Sequence, residues 1–237
     1  SASDAGSEPV STALIRVSVD GSVTATIGTT EIGQGSATVM AQIVAGEMGV
    51  PLDRVHVLQS DTSAVSYDRS TGASRSTTIV GLALQRAARE VRAELCQWAT
   101  DTWSAESVEE APGGVMVDGQ HNGWGEIVAA YFAGDFGEAV GRGHVRKVGT
   151  TKQMPPFWEV GCVGVEVHVD EETGQIRVNR LVTVGDVGCA INPQLVEAQD
   201  LGAAIMGLGM ATSEELVKND ESTLLNGNIV EYRVPRV

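Results

Sequence analysis

Alternating apolar and polar residues followed by a helical stripe occur near the start of the chain and again after residue 160. This predicts an α+β (mixed α/β) fold of two layered sub-domains, each with antiparallel strands packed against helices. Turn signals at Asp20-Gly21 and Thr173-Gly174 mark where each strand pair reverses.

In the first pair, Ile15, Val17 and Val19 alternate with Arg16 and Ser18, and Val23, Ala25 and Ile27 alternate with Thr24 and Thr26. Asp20-Gly21 between them predicts a tight primed turn, because this dipeptide tolerates the positive φ angles such a turn requires. Beyond the segment Thr29-Thr30-Glu31-Ile32-Gly33-Gln34-Gly35-Ser36, the residues Val39, Met40, Ile43, Val44 and Met48 recur at helical spacing, and Gly49 followed by Pro51 ends the helix. Val55 to Leu58 reads as a short strand with His56 on one face. A hydroxyl-rich stretch from Asp68 to Thr78 then leads into a stripe of Ile79, Val80, Ala83, Leu84, Ala87, Val91 and Leu95.

Residues 111–158 carry turn-like clusters at Pro112-Gly113-Gly114 and Gly119 to Gly123, a short helical pattern from Glu126 to Phe132, and Gly141-Arg142-Gly143; Trp124, Phe157 and Trp158 read as packing residues. The stretch reads as a connecting excursion. Val160 to Val169 alternates again, Gln175 to Gly185 pairs back, and Asn192-Pro193 supplies an N-cap and a first-turn proline for a helix containing Gln199. The small residues of Gly202-Ala203-Ala204 and then Gly207-Leu208-Gly209 predict that this helix packs closely against a backbone. The expected organisation is a flexible N-terminus over 1–12, a first half over 13–110, the excursion over 111–158 and a second half over 159–237.

Sixteen Lys and Arg against 31 Asp and Glu leave a net charge of -15, which argues against a nucleic-acid surface. Any anionic ligand must be held by local N–H donors and individual cations. Cys96, Cys162 and Cys189 form no Cys-x-x-Cys pair and read as buried small residues in a reducing, cytoplasmic setting. The four histidines have no metal-ligand spacing, no run approaches the roughly 20 apolar residues that span a bilayer, and Ser1 to Pro9 lacks the features of a signal peptide.

Two loops carry the ligand signal. Gly33 and Gly35 flank Gln34 just before one helix, and Gly72, Ala73, Ser74 and Ser76 precede another. Glycines let backbone N–H groups approach a ligand closely, and helix N-termini favour anions.

In order, Glu31-Ile32-Gly33-Gln34-Gly35, Asp61-Thr62, Thr71-Gly72-Ala73-Ser74-Arg75-Ser76, Val169-Asp170 with Glu172-Thr173-Gly174, Asp186-Val187-Gly188 through Asn192-Pro193, Gln199, Gly207-Leu208-Gly209, Glu214-Glu215, Tyr232 and Pro235 resemble the xanthine dehydrogenase and aldehyde oxidase family of molybdenum hydroxylases. The match is to the later of the two molybdopterin-binding domains of the large subunit. This resemblance implies that Gly33 and Gln34 contact the pterin near its dithiolene while Gly35 permits close approach. It implies that Gly72, Ala73, Ser74 and Ser76 bind the pterin or its phosphate, and that Gln199 reaches the pterin from the second half. The implied cofactor is molybdopterin with Mo, in the cytosine dinucleotide form by similarity to bacterial relatives. The implied reaction is hydroxylation of an aldehyde or an N-heterocycle with water as oxygen source. The family's catalytic glutamate follows the residues matched by Tyr232 and Pro235, so no catalytic residue is expected within 1–237. The expected partners are the remaining molybdopterin domain and the iron–sulfur and FAD domains or subunits, without which the chain is not competent. The alternative is a stand-alone, non-catalytic relative acting as a scaffold or partner-binding domain.

Overall fold

The computed structural model describes residues 10–59, 61–69, 71–146 and 160–235. Two compact units emerge, Ala2–Trp158 and Glu159–Val237. The first runs β1 (Val10–Ser18), β2 (Val23–Ile27), α1 (Ser36–Met48), β3 (Val55–Leu58), α2 (Ser76–Trp103), β4 (Val108–Ala111), β5 (Gly114–Val117), β6 (Gln120–Gly123), α3 (Trp124–Phe132) and β7 (Glu138–Arg146). Its main sheet has the order β3-β2-β1-β7, with β2 and β3 parallel and the other pairs antiparallel.

Alternation builds the core. Ala13, Ile15 and Val17 of β1 and Val23, Ala25 and Ile27 of β2 are fully buried, as are Met40 and Val44 of α1 and the expected stripe of α2 from Ile79 to Leu95. Each such Val, Leu, Ile or Met side chain contributes roughly 1.5–3 kcal/mol by leaving water. The hairpin closes differently from the expected primed turn. Ser18 N donates to Ser22 O (3.0 Å) and Gly21 N to Ser18 O (2.9 Å), so the loop is Val19-Asp20-Gly21 with only Gly21 at positive φ (+78°). Asp20 instead accepts the Ser22 N–H at 2.8 Å, a local bond that Asp side chains form readily in turns. β1 begins at Val10 and pairs Val10 with Arg146, so residues 10–12 belong to the sheet and not to a flexible tail.

The stretch expected as an excursion returns to the first unit. β4, β5 and β6 form a small meander. Trp124, 2% exposed, donates its indole N–H to Met48 O at 2.8 Å, closing the end of α1. Phe157 and Trp158 lie outside the described residues. β7 pairs with β1 along its whole length. Its inward positions are Ala139, Gly141, Gly143 and Val145, beneath α2. A Cβ on Gly143 would collide with the Ala83 carbonyl oxygen, and one on Gly141 with the Ala87 carbonyl oxygen. The glycines mark close helix–strand contact and not a turn.

The second unit contains β8 (Val160–Val169), β9 (Ile176–Asp186) and α4 (Pro193–Thr212). The two strands form an antiparallel hairpin with an irregularity at Glu166/Val167. Asn192 caps α4 by accepting the Leu195 N–H at 3.0 Å, with Pro193 following it as expected. Close packing of the small-residue run against a backbone is not seen: a Cβ on Gly202 or Gly207 would meet nothing within 4 Å, and one on the buried Gly209 would meet the side chains of Glu214 and Pro235. Cys162 and Cys189 are exposed, contrary to the expectation of burial, while Cys96 is half-buried on α2 and desolvation pushes its thiol up against the opposing pull of Arg92. Among the described residues no helix is long and apolar enough to cross a membrane.

Candidate cofactor-binding site

Between β2 and α1 the chain folds around Glu31. One of its carboxylate oxygens accepts the N–H groups of Gly33 (2.9 Å) and Gly35 (3.0 Å). The other accepts the Ser36 hydroxyl (3.1 Å) and the Ala37 N–H (3.0 Å). Burial pushes the Glu31 carboxyl up, but the bonds from Ala37, Gly35, Gly33 and Ser36 together outweigh it and hold the carboxyl below its ordinary range. The start of α1 is therefore filled by the protein's own anion, and an exogenous phosphate has no open place there. Gly33 (φ +96°) and Gly35 (φ +79°) take left-handed conformations that favour glycine. Gln34 closes the loop tip: its Oε1 accepts the Ile32 N–H (2.7 Å) and its Nε2 donates to Thr30 O (3.0 Å). One amide proton and one lone pair of Gln34 remain beyond these two bonds.

The second loop differs. Gly72, Ala73 and Ser74 are exposed just before α2, whose first turn carries no acid and whose N-cap, Arg75, makes no side-chain capping bond. Ala73 (φ +55°) and Ser74 (φ +51°) are consecutive non-glycine residues in the left-handed region, each costing about 1 kcal/mol or more unless the surroundings hold it. Arg75 turns inward and is 2% exposed. Its guanidinium pairs with Asp68 at 2.8 Å, and the Asp68 side chain is itself only 1% exposed. Removing one partner of such a pair leaves an uncompensated buried charge.

The fold brings these two loops together. Thr29 Oγ1 lies 3.1 Å from Thr71 Oγ1 and 3.0 Å from Ser76 Oγ, and Thr30 N donates to Thr71 Oγ1 at 2.8 Å. Gly28 permits this closeness, since a Cβ there would sit 2.7 Å from Asp68 N. Thr71→Val is expected to lower the stability of the first unit by about 1 kcal/mol, the usual worth of such bonds, measurable by urea denaturation. Of the sequence-predicted residues, Gly33, Gln34, Gly35, Gly72, Ala73, Ser74 and Ser76 lie on this paired-loop surface, while Gln199 is exposed on α4 of the second unit. Sequence reasoning missed three residues: Glu31 as the cap of α1, and Asp68 with Arg75 as the buried tie. The one available signal for Glu31 was an acid just ahead of a helix with no acid in its first turn.

The sequence profile of the molybdopterin cofactor-binding domain family matches residues 1–237. The chain belongs to this family. It is 32% identical over 229 residues to aldehyde oxidase 2 of Cavia porcellus, an alignment covering 94% of this chain and 16% of that protein. It is 29% identical over 235 residues to the carbon monoxide dehydrogenase large chain of Hydrogenophaga pseudoflava, covering 93% of this chain and 28% of that one. The solved structure of reconstituted CO dehydrogenase from Oligotropha carboxidovorans superposes with a TM-score of 0.79 at 26% identity, over 95% of this chain and 28% of that chain. The chain spans between 16% and 28% of the length of these relatives.

The paired loops of this molybdopterin-binding domain suit its cofactor. A Cβ at Gly33 would meet nothing within 4 Å, so one side of the first loop is open to a flat ring. The second loop offers neutral hydroxyls and the N-terminus of the long helix α2, which no side chain caps, the donor set that a phosphate-bearing pterin requires. Among the described residues no His, Cys, Asp and Glu side chains are grouped to hold a metal ion.

Proposed function

We propose that this domain forms one wall of the cofactor cradle in the large subunit of a molybdenum hydroxylase. The observation that carries the reading is the hydroxyl cluster of Thr29, Thr71 and Ser76, which joins the two glycine-bearing loops into a single donor surface. Gly33, Gln34 and Gly35 face the pterin near its dithiolene, and Gly72, Ala73, Ser74 and Ser76 take the pterin or its phosphate. The closed start of α1 and the open start of α2 support that polarity. When bound, the cofactor supplies its metal and the oxidative chemistry that hydroxylates an aldehyde or N-heterocycle with oxygen from water, while residues of this chain orient it. The base, the iron–sulfur centres and the FAD belong to the rest of the enzyme. Designation of matched relatives as large chains supports such an assembly. A cytosine dinucleotide tail and a cytoplasmic setting complete the reading, the latter in keeping with three free cysteines.

Gln34→Ala in the full-length enzyme tests it. The variant is expected to keep its fold and to retain molybdenum and pterin about tenfold less well, the worth of one or two neutral hydrogen bonds. Metal analysis and the fluorescence of the released, oxidised pterin measure the retention. Cofactor content equal to wild type in the folded variant would overturn the assignment of this loop.

A further inference from the structure

We infer that Arg75 is a positioning residue for the cofactor loop, acting through Asp68 and the Val10 carbonyl and never touching the cofactor itself. The inference deepens the cradle reading and rests on it. An arginine beside an anion-binding turn is ordinarily expected to reach the anion. Here Nη1 donates to Asp68 Oδ1 at 2.8 Å and Nη2 to Val10 O at 2.7 Å, and the side chain is 2% exposed. Its charge is met by a carboxylate at its own end, so it adds little pull on a phosphate outside. What it does is directional. Two N–H donors of one rigid fork grip two acceptors on different segments, and the residue carrying that fork stands between Ser74, at φ +51°, and Ser76, the first residue of α2.

Both acceptors are tied into the sheet. Val10 opens β1 and pairs with Arg146. Asp68 bridges to Ser11, and the neighbouring Tyr67 carbonyl accepts the Thr12 N–H at 3.0 Å. The segment from Ser66 to Asp68 also presses on Gly28, the residue before Thr29. The fork of Arg75 thereby fixes the left-handed turn at Ala73 and Ser74 against β1 and sets the distance from Thr71 and Ser76 to Thr29. A lysine keeps the charge but supplies no fork, and so does not replace it.

The test compares Arg75→Lys, Arg75→Met and the double variant Asp68→Asn/Arg75→Met in the full-length enzyme; the double variant leaves no unpaired buried charge and so guards against simple failure to fold. Amide hydrogen exchange of residues 71–76 in the cofactor-free protein reads the turn, pterin retained after gel filtration reads the cradle, and thermal unfolding scores the fold. In all folded variants, exchange is expected to rise about tenfold, with pterin retention falling at least about fivefold, and Arg75→Lys is expected to resemble Arg75→Met. Wild-type exchange in the folded double variant would overturn the positioning role. So would retention in Arg75→Lys close to wild type, or pterin loss without faster exchange, since either means that charge or direct contact is what matters. Faster exchange with full pterin retention would instead overturn the assignment of this turn to the cofactor.

Discussion

Gly143→Val is expected to destabilise the first unit strongly. Gly143 lies on β7 beneath α2, where a Cβ would overlap the Ala83 carbonyl oxygen and stand 2.5 Å from the Ala87 amide nitrogen. Overpacking of a core costs about 1–3 kcal/mol when side chains can shift aside. Both obstacles here are backbone atoms of the long helix, and β7 cannot retreat without giving up its pairing with β1 from Val10 to Ser18. The expected loss is roughly 4 kcal/mol, above that range because neither backbone can yield. Urea denaturation should show a lower midpoint, and Gly143→Ala should show a smaller shift in the same direction. A glycine that merely formed a turn would tolerate alanine, so a midpoint unchanged in both variants contradicts the close-packing account.

Glu31→Ala should lower stability by about 2–3 kcal/mol, since hydrogen bonds to a charged acceptor contribute more than neutral ones and the carboxylate also faces the positive end of α1. Its folded-state carboxyl lies below its ordinary value of 4.5. The stabilisation is therefore fully present above that value and is lost as pH falls through the lower, folded value. The stability difference between wild type and Glu31→Gln should accordingly be constant near neutrality and shrink on acidification below about pH 4.5. A difference that grew with acid would contradict the sign. Removing the carboxylate also releases the N–H groups of Gly33, Gly35 and Ala37. Inorganic phosphate should then raise the thermal midpoint of Glu31→Ala more than that of wild type. Equal shifts would show that Glu31 does not close this helix end to anions.

These two residues illustrate what can be read from a chain and what cannot. The strands and helices followed from local periods: Ile15 to Val17 and Val23 to Ile27 were visible as alternation, and the stripe of α2 from Ile79 to Leu95 as 3.6-residue spacing, because each repeat lies within a few residues of itself. The Asn192-Pro193 start of α4 was equally local. β7 was not legible, since Ala139, Gly141, Gly143 and Val145 make an alternating face only when glycine counts as an inward residue. That choice depends on α2, some fifty residues earlier in the chain.

The site divides along the same line. Its glycines, Gln34 and hydroxyls could be named from the chain because each carries its property wherever it stands: freedom at positive φ, an amide, a donor. Which helix start stays open was decided by where side chains reach in three dimensions. Glu31 folds onto α1, while no acid enters the first turn of α2. Likewise Arg75, named from the chain only within the Thr71 to Ser76 motif, is drawn inward by Asp68 and by a carbonyl 65 positions away. Charge and hydrogen-bonding capacity are properties of a residue, but the partner that consumes them is a property of the fold.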